Sequence, residues 1–147
     1  MIPALDQHGL LPVGIHDCTL AEAEARFGRF QESEHRPRLW ADFTAFLREV
    51  KMSGIVESVW LDGSFVTSKS APNDVDLILV VSASHDFSAD LTPAEYNVLS
   101  KRRVFRRFGF DMLVAGAGSE RLIRYVNFFQ QVRFEPDRRK GILRIVV

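Results

Sequence analysis

A chain of 147 residues, 46% of them hydrophobic and twelve of them Phe, can bury one core of ordinary size, so a single domain over residues 1–147 is expected. The zero net charge conceals an asymmetry, because residues 101–147 carry twelve Lys or Arg against four Asp or Glu. No stretch is apolar enough to cross a membrane, the N-terminus has no basic leader region, and the lone Cys18 cannot close an internal disulfide. These features exclude membrane-spanning and disulfide-framework classes and predict a cytoplasmic protein. Cys18 reads as a packing residue.

Residues 1–18 hold Pro3, Gly9, Pro12 and Gly14 and predict an extended N-terminal arm or loop. Thr19-Leu-Ala-Glu22 has the form of a capping box and starts a helix ending near Gly28. A longer helix is expected from about Pro37 to Lys51, with Leu39, Trp40, Phe43, Phe46, Leu47 and Val50 at helical spacing. That stripe reads as core. Gly54 stops the helix and residues 55–61 read as a strand. Residues 62–73 form a polar loop with room for one helical turn, and residues 75–82 form an apolar strand suited to a sheet centre.

Thr92-Pro-Ala-Glu95 supplies an N-cap and an N1 proline for a helix running to about Arg107. Gly109 precedes a third strand, residues 110–114, which contains one acid, Asp111. An unpaired buried carboxylate is costly, so Asp111 belongs at an exposed edge, beside a basic side chain such as Arg102, Arg103, Arg106 or Arg107, or on a metal. Ser119 caps a last helix to about Gln131, with Leu122, Ile123, Val126 and Phe129 inward. The basic run Arg138-Arg139-Lys140-Gly141 leads into a terminal strand over residues 142–147; Arg139-Lys140-Gly141 either reaches toward a nucleotide from the tail or, as the plainer account, forms a solvated turn. The pattern predicts an α/β (α+β) domain: a small mixed β-sheet with helices packed against it.

The chemistry concentrates between residues 54 and 81. An apolar run ends in Gly63-Ser64, a short loop follows, and the next strand opens with Asp74-Val75-Asp76. With a period of two, Asp74 and Asp76 project from one side of the strand start and repel each other unless a cation joins them. Mg²⁺ suits hard oxygen ligands and leaves positions for substrate phosphates. Gly63 lets backbone amides approach a phosphate, and Ser64 adds a hydroxyl donor.

Gly-Ser at the end of one strand and Asp-x-Asp on the next resemble the signature of the polymerase-beta-like nucleotidyltransferase superfamily, closest to its small bacterial minimal type. The segment DGSFVTSKSAPNDVD also resembles an uncharacterised bacterial family assigned there. The resemblance covers residues 55 to about 115. It implies the nucleotidyltransferase fold, two Mg²⁺ ions held by Asp74, Asp76 and a third acid, for which Asp111 is the natural candidate, and a triphosphate on Gly63 and Ser64. Lys69 is the loop cation best placed to touch the phosphates; an exposed loop lysine is the plain alternative. The implied reaction moves a nucleoside monophosphate, AMP from ATP in the first instance, to a hydroxyl of a protein or RNA, with a role as half of a bacterial toxin–antitoxin pair.

A second reading is a catalytically silent subunit, such as an antitoxin, that binds a partner through the arm or the basic C-terminal third. A third is an RNA-binding module: Lys101, Arg102, Arg103, Arg106 and Arg107 can meet RNA phosphates on one side of their helix. The sequence gives no sign of exposed aromatics among them, hence none of base readout, and no DNA readout motif. His8, His16, His35 and His85 lack zinc-ligand spacing, no P-loop pattern occurs, and Asp62 reads as a turn residue without a catalytic role.

Overall fold

Alternation along four strands sorts the apolar side chains onto two faces of one sheet. The computed structural model describes residues 1–29, 33–73 and 75–147. Strand β1 is Gly14–Cys18, β2 Val56–Asp62, β3 Asp76–Val81, β4 Asp111–Gly116, β5 Gln131–Val132, β6 Glu135–Arg139 and β7 Gly141–Val146. The five-stranded sheet has the order β1-β7-β2-β3-β4, and β5 and β6 form a separate hairpin. β1 pairs with β7 and β3 with β4 in parallel, whereas β2 runs antiparallel to both of its neighbours. The result is the mixed α+β architecture expected from the sequence.

One face carries Val59, Leu61, Leu77, Leu79, Leu143 and Ile145, which join the larger core cluster. The principal cover is helix α2, His35–Ser53, which buries Trp40, Phe43, Phe46, Leu47 and Val50 at three- and four-residue intervals. Gly54 ends α2 in the left-handed region at φ 68°. Phe43 and Phe46 meet Phe110 edge-on at 6.5 and 6.2 Å, and Phe46 meets Phe108 at 5.5 Å. Each such ring contributes roughly 1.5–3 kcal/mol by leaving water.

The opposite face carries Trp60, Ile78, Val80, Ala115 and Ile142, covered by Leu122 and Phe129 of helix α5, Glu120–Phe129. This cover is thinner. Ile123, expected to point inward, is 60% exposed, because one ten-residue helix offers a narrower apolar stripe than the sequence spacing suggested.

Four further features depart from expectation. The end of the N-terminal arm is a strand, β1, held by β7 rather than by its own sequence neighbours. Helix α1, Leu20–Ala23, starts with the expected capping box and passes into a π-helical turn ending at Gly28. The single helix expected from Thr92 to Arg107 is two, α3 (Pro93–Leu99) and α4 (Lys101–Phe108). Between them Ser100 is extended (φ −76°, ψ 102°) and caps α4 by accepting from the Arg103 amide. The basic run near residue 139 lies at the end of a hairpin strand instead of forming a simple turn. No helix among the described residues is long and apolar enough to cross a membrane.

Candidate functional site

Asp62 has the strand parity of Trp60, Asp76 that of Ile78, and Asp111 that of Ala115, so all three acids belong to the α5 face. Register places them side by side: Asp62 opposite Asp76 across β2 and β3, and Asp76 opposite Asp111 across β3 and β4. Their exposure rises toward the sheet edge. Asp62 is 3% exposed, Asp76 is intermediate, and Asp111 is exposed. Lys140 Nζ lies 2.8 Å from Asp62 Oδ1, both side chains being largely buried. The Lys140 amide donates to the Gln130 carbonyl, which ties the end of the hairpin to the end of α5.

The turn after β2 is built for close backbone approach. Gly63 sits at φ 86°, ψ −174°, a conformation open almost only to glycine, and opens a 3₁₀ turn over Ser64–Val66. Thr67 Oγ1 donates to the Ser64 carbonyl at 2.6 Å.

Arg36, from α2, is fully buried and grips this segment from beneath. Its guanidinium donates to the carbonyls of Phe27 (2.9 Å), Phe65 (2.7 Å) and Thr67 (2.8 Å), and twice to Lys69, once at 3.1 Å. Burial pulls the Arg36 pKa down to about 10, which leaves it charged at neutral pH. The N-terminal arm braces the same loop: the Ser68 amide donates to the Gly9 carbonyl at 3.0 Å.

A cleft of about 890 Å³ opens over Asp62, Gly63, Ser64, Asp76, Asp111 and Lys140. The β5–β6 hairpin overhangs it, with Arg133 and Phe134 at the tip. Phe134 is 89% exposed and has φ 66°, a region costly for a bulky side chain. A second cavity, about 550 Å³, adjoins the first and shares Asp76, Asp111, Phe128 and Phe129 with it. Its own walls are Lys101, Arg102 and Phe105 of α4 together with Phe110, Met112 and Leu113.

The site therefore pairs a row of carboxylates with a glycine turn and flanking cations. The chain belongs to the family described as a family of unknown function (DUF6932), matched over residues 3–146. No curated protein and no solved structure matches it.

In this DUF6932 chain the structure brings Gly63, Ser64, Asp76 and Asp111 to one cleft. Asp74 lies outside the described residues. Lys69 is exposed and is not among the residues lining the cleft. Lys140 is the lysine at the acids, and Asp62, read from sequence as a turn residue, is the innermost member of the row. Two signals pointed that way: Asp62 directly precedes Gly63-Ser64, and it continues the Ser58, Trp60 alternation.

Asp111 makes no ion pair among the described residues. Arg103 and Arg107 turn instead to Glu49, at 2.8 and 3.5 Å, and the Arg103 hydrogen bond holds the Glu49 carboxyl below its usual range. Phe105, inside the basic run of α4, is 57% exposed, and Phe128 across the second cavity is 65% exposed. Aromatics are thus interleaved with the cations, contrary to the sequence expectation. Burial pushes the Cys18 thiol up to about 11, in keeping with a packing role.

Among the described residues no group of three or more His, Cys, Asp or Glu is gathered to hold a metal. Mg²⁺ asks for less, being bound commonly through one or two carboxylates with water and substrate phosphates completing the shell. Adjacent Asp76 and Asp111 beside an open cleft fit that donor set.

Proposed function

We propose that the chain is a metal-dependent nucleotidyltransferase of the polymerase-beta-like type, moving a nucleoside monophosphate, AMP from ATP in the first instance, to an acceptor hydroxyl. The observation that carries this reading is the register of Asp76 against Asp111 at the mouth of a cleft that is also lined by Gly63 and Ser64. Carboxylates gathered next to a phosphate-sized turn repel an anion unless a divalent cation accompanies it, so the site favours a metal-bound polyphosphate over a free one.

Asp76 and Asp111 would hold Mg²⁺, with Asp74 as the further carboxylate supplied by the sequence. When bound, Mg²⁺ offsets triphosphate charge and lowers the pKa of the attacking hydroxyl. The chain's own groups do the rest. The Gly63 turn lets amides come against phosphate oxygens, and the Ser64 hydroxyl donates to one of them. Lys140 stabilises charge that builds on the leaving pyrophosphate. Arg36 holds the turn rigid from below. The acceptor oxygen forms a bond to the α-phosphorus, the bond from that phosphorus to the bridging oxygen breaks, and pyrophosphate leaves. The proton of the hydroxyl passes to Asp111, the exposed acid at the sheet edge, and then to water.

Calorimetric titration of ATP, GTP, CTP and UTP with Mg²⁺ into wild type and the Asp74→Asn/Asp76→Asn variant tests the reading. Metal-dependent binding that disappears in the folded variant supports it. Absence of nucleotide binding by folded wild type overturns it and favours a silent subunit, such as an antitoxin, acting through its basic surface.

A further inference from the structure

The second cavity lies on the far side of Asp76 and Asp111 from Gly63-Ser64, so a molecule seated there reaches the same two carboxylates from the opposite direction. Its chemistry is not that of a triphosphate site. Two large rings stand exposed, Phe105 on α4 and Phe128 on α5, above an apolar floor that includes Phe110 and Met112. Lys101 and Arg102 stand at its wall. Arg102 also lines a further surface depression with Tyr96, Arg103, Arg106 and Arg107, and Tyr96 is 53% exposed. Arg102 thus stands between the cavity that holds the carboxylates and two phenylalanines and a basic strip carrying an exposed tyrosine.

Within that strip, Glu49 engages Arg103 and Arg107, whereas Lys101, Arg102 and Arg106 make no ion pair among the described residues. Unpaired cations alternating with exposed rings match a flexible polyanion whose units carry flat faces. Single-stranded nucleic acid has that chemistry: bases stack on aromatic side chains while Lys and Arg follow the phosphates. Proteins chiefly read RNA at its single-stranded loops and ends, where bases are free to splay onto such rings. A duplex keeps its bases stacked inside and would leave Phe105 and Phe128 unused.

We propose that the α4–α5 groove binds the single-stranded 3′ end of an RNA, with terminal bases on Phe105 and Phe128 and upstream phosphates on Lys101, Arg102 and Arg106. The identity of that end as the acceptor rests on the nucleotidyltransferase reading above; the binding does not. A 3′-hydroxyl at the inner end of the groove lies beside Asp111, on the side away from the glycine turn. RNA affinity and nucleotide affinity then belong to adjoining surfaces that share Asp76, Asp111, Phe128 and Phe129.

The test is fluorescence anisotropy with a 5′-labelled single-stranded 12-nucleotide RNA, in EDTA and without nucleotide, so that the donor reaction plays no part. Wild type is expected to bind, with affinity falling about 20-fold between 50 and 200 mM salt if three phosphates are neutralised. Phe105→Ala/Phe128→Ala is expected to weaken binding at least about tenfold with little change in salt slope. Lys101→Ala/Arg102→Ala should weaken binding and flatten that slope. Both variants alter exposed side chains, and circular dichroism is used to check that they fold. ATP binding with Mg²⁺ should survive in Lys101→Ala/Arg102→Ala and in Phe105→Ala alone, whose side chains line the second cavity and not the nucleotide cleft, which separates failure of the groove from failure of the nucleotide site.

No RNA binding by folded wild type overturns the proposal, as does unchanged affinity on removing both rings. Equal affinity for duplex RNA, or preference for a single-stranded DNA of the same sequence, also overturns it.

Discussion

The two faces of the sheet are built from the same strands yet serve different ends. On the α2 face, side chains such as Val59, Leu61, Leu77 and Leu79 meet a nineteen-residue helix and an aromatic cluster, with little solvent access. On the α5 face the same strands alternate to Trp60, Ile78 and Val80, and the next residue of that parity toward the cleft is an aspartate in both β2 and β3. The cover there is one ten-residue helix and a hairpin. The difference teaches that stability and chemistry divide along strand parity: the dense face keeps the strands rigid, and the thin face leaves room for a cleft beside three acids.

That division predicts a steep gradient of mutational cost. The largest effect belongs to the dense face, where Phe46 is fully buried: Phe46→Ala should cost about 3–5 kcal/mol of unfolding free energy, measured by urea denaturation. The next belongs to the ion pair under the cleft. Lys140→Met removes the cation beside the nearly buried Asp62 and should cost about 3 kcal/mol, while adding Asp62→Asn should recover part of that loss. A double variant that costs the sum of Lys140→Met and Asp62→Asn measured alone would show that the pair is not coupled and break the comparison.

A smaller effect comes from Glu49, whose carboxyl is lowered first by the Arg103 hydrogen bond and then by the charges of Arg103 and Arg107. A depressed carboxyl stabilises the fold above its unfolded pKa, near the ordinary glutamate value of 4.5, and loses that contribution as pH falls through the lower folded value. The urea midpoint of wild type should therefore drop more steeply between pH 5 and pH 3 than that of Glu49→Gln, pH values chosen to bracket roughly that window. The smallest effect is expected on the thin face: Ile123→Ala, at an exposed site, should change stability by less than about 0.5 kcal/mol.

The sequence made the dense face readable and the thin face only partly so. Trp40, Phe43, Phe46, Leu47 and Val50 repeat at helical spacing, and residues 76–81 are almost wholly apolar, so α2 and β3 follow from local pattern. Gly63, Ser64, Asp76 and Asp111 were legible because each stands at the polar end of an apolar run. Asp62 and Lys140 carried partial signals, the polar end of β2 and a basic run within reach of a nucleotide, but their pairing was not legible, because it joins residues 78 positions apart, which local spacing does not encode. The break at Ser100 is hidden in the sequence for a related reason: Ser is tolerated within helices, and only the observed backbone shows it capping a second one. Ile123 looked inward because a helical period says which residues share a face, not how wide a face the partner covers.

The pairing of β1 with β7 joins residues 14–18 to residues 141–145 in parallel, and β7 lies inside the sheet between β1 and β2. The Gly141 amide donates to the Leu11 carbonyl at 2.9 Å, and a Cβ on Gly141 would come within 2.0 Å of the Pro12 carbonyl oxygen, so the fit admits no bulkier residue there. During synthesis a ribosome releases the early strand more than a hundred residues before its neighbour. Until then β1 and β2 have no β7 between them, and Lys140 has not reached Asp62. The sheet and the cleft are thus completed by the same late event, and a nascent chain lacking its last strand holds its carboxylates without the lysine that partners them.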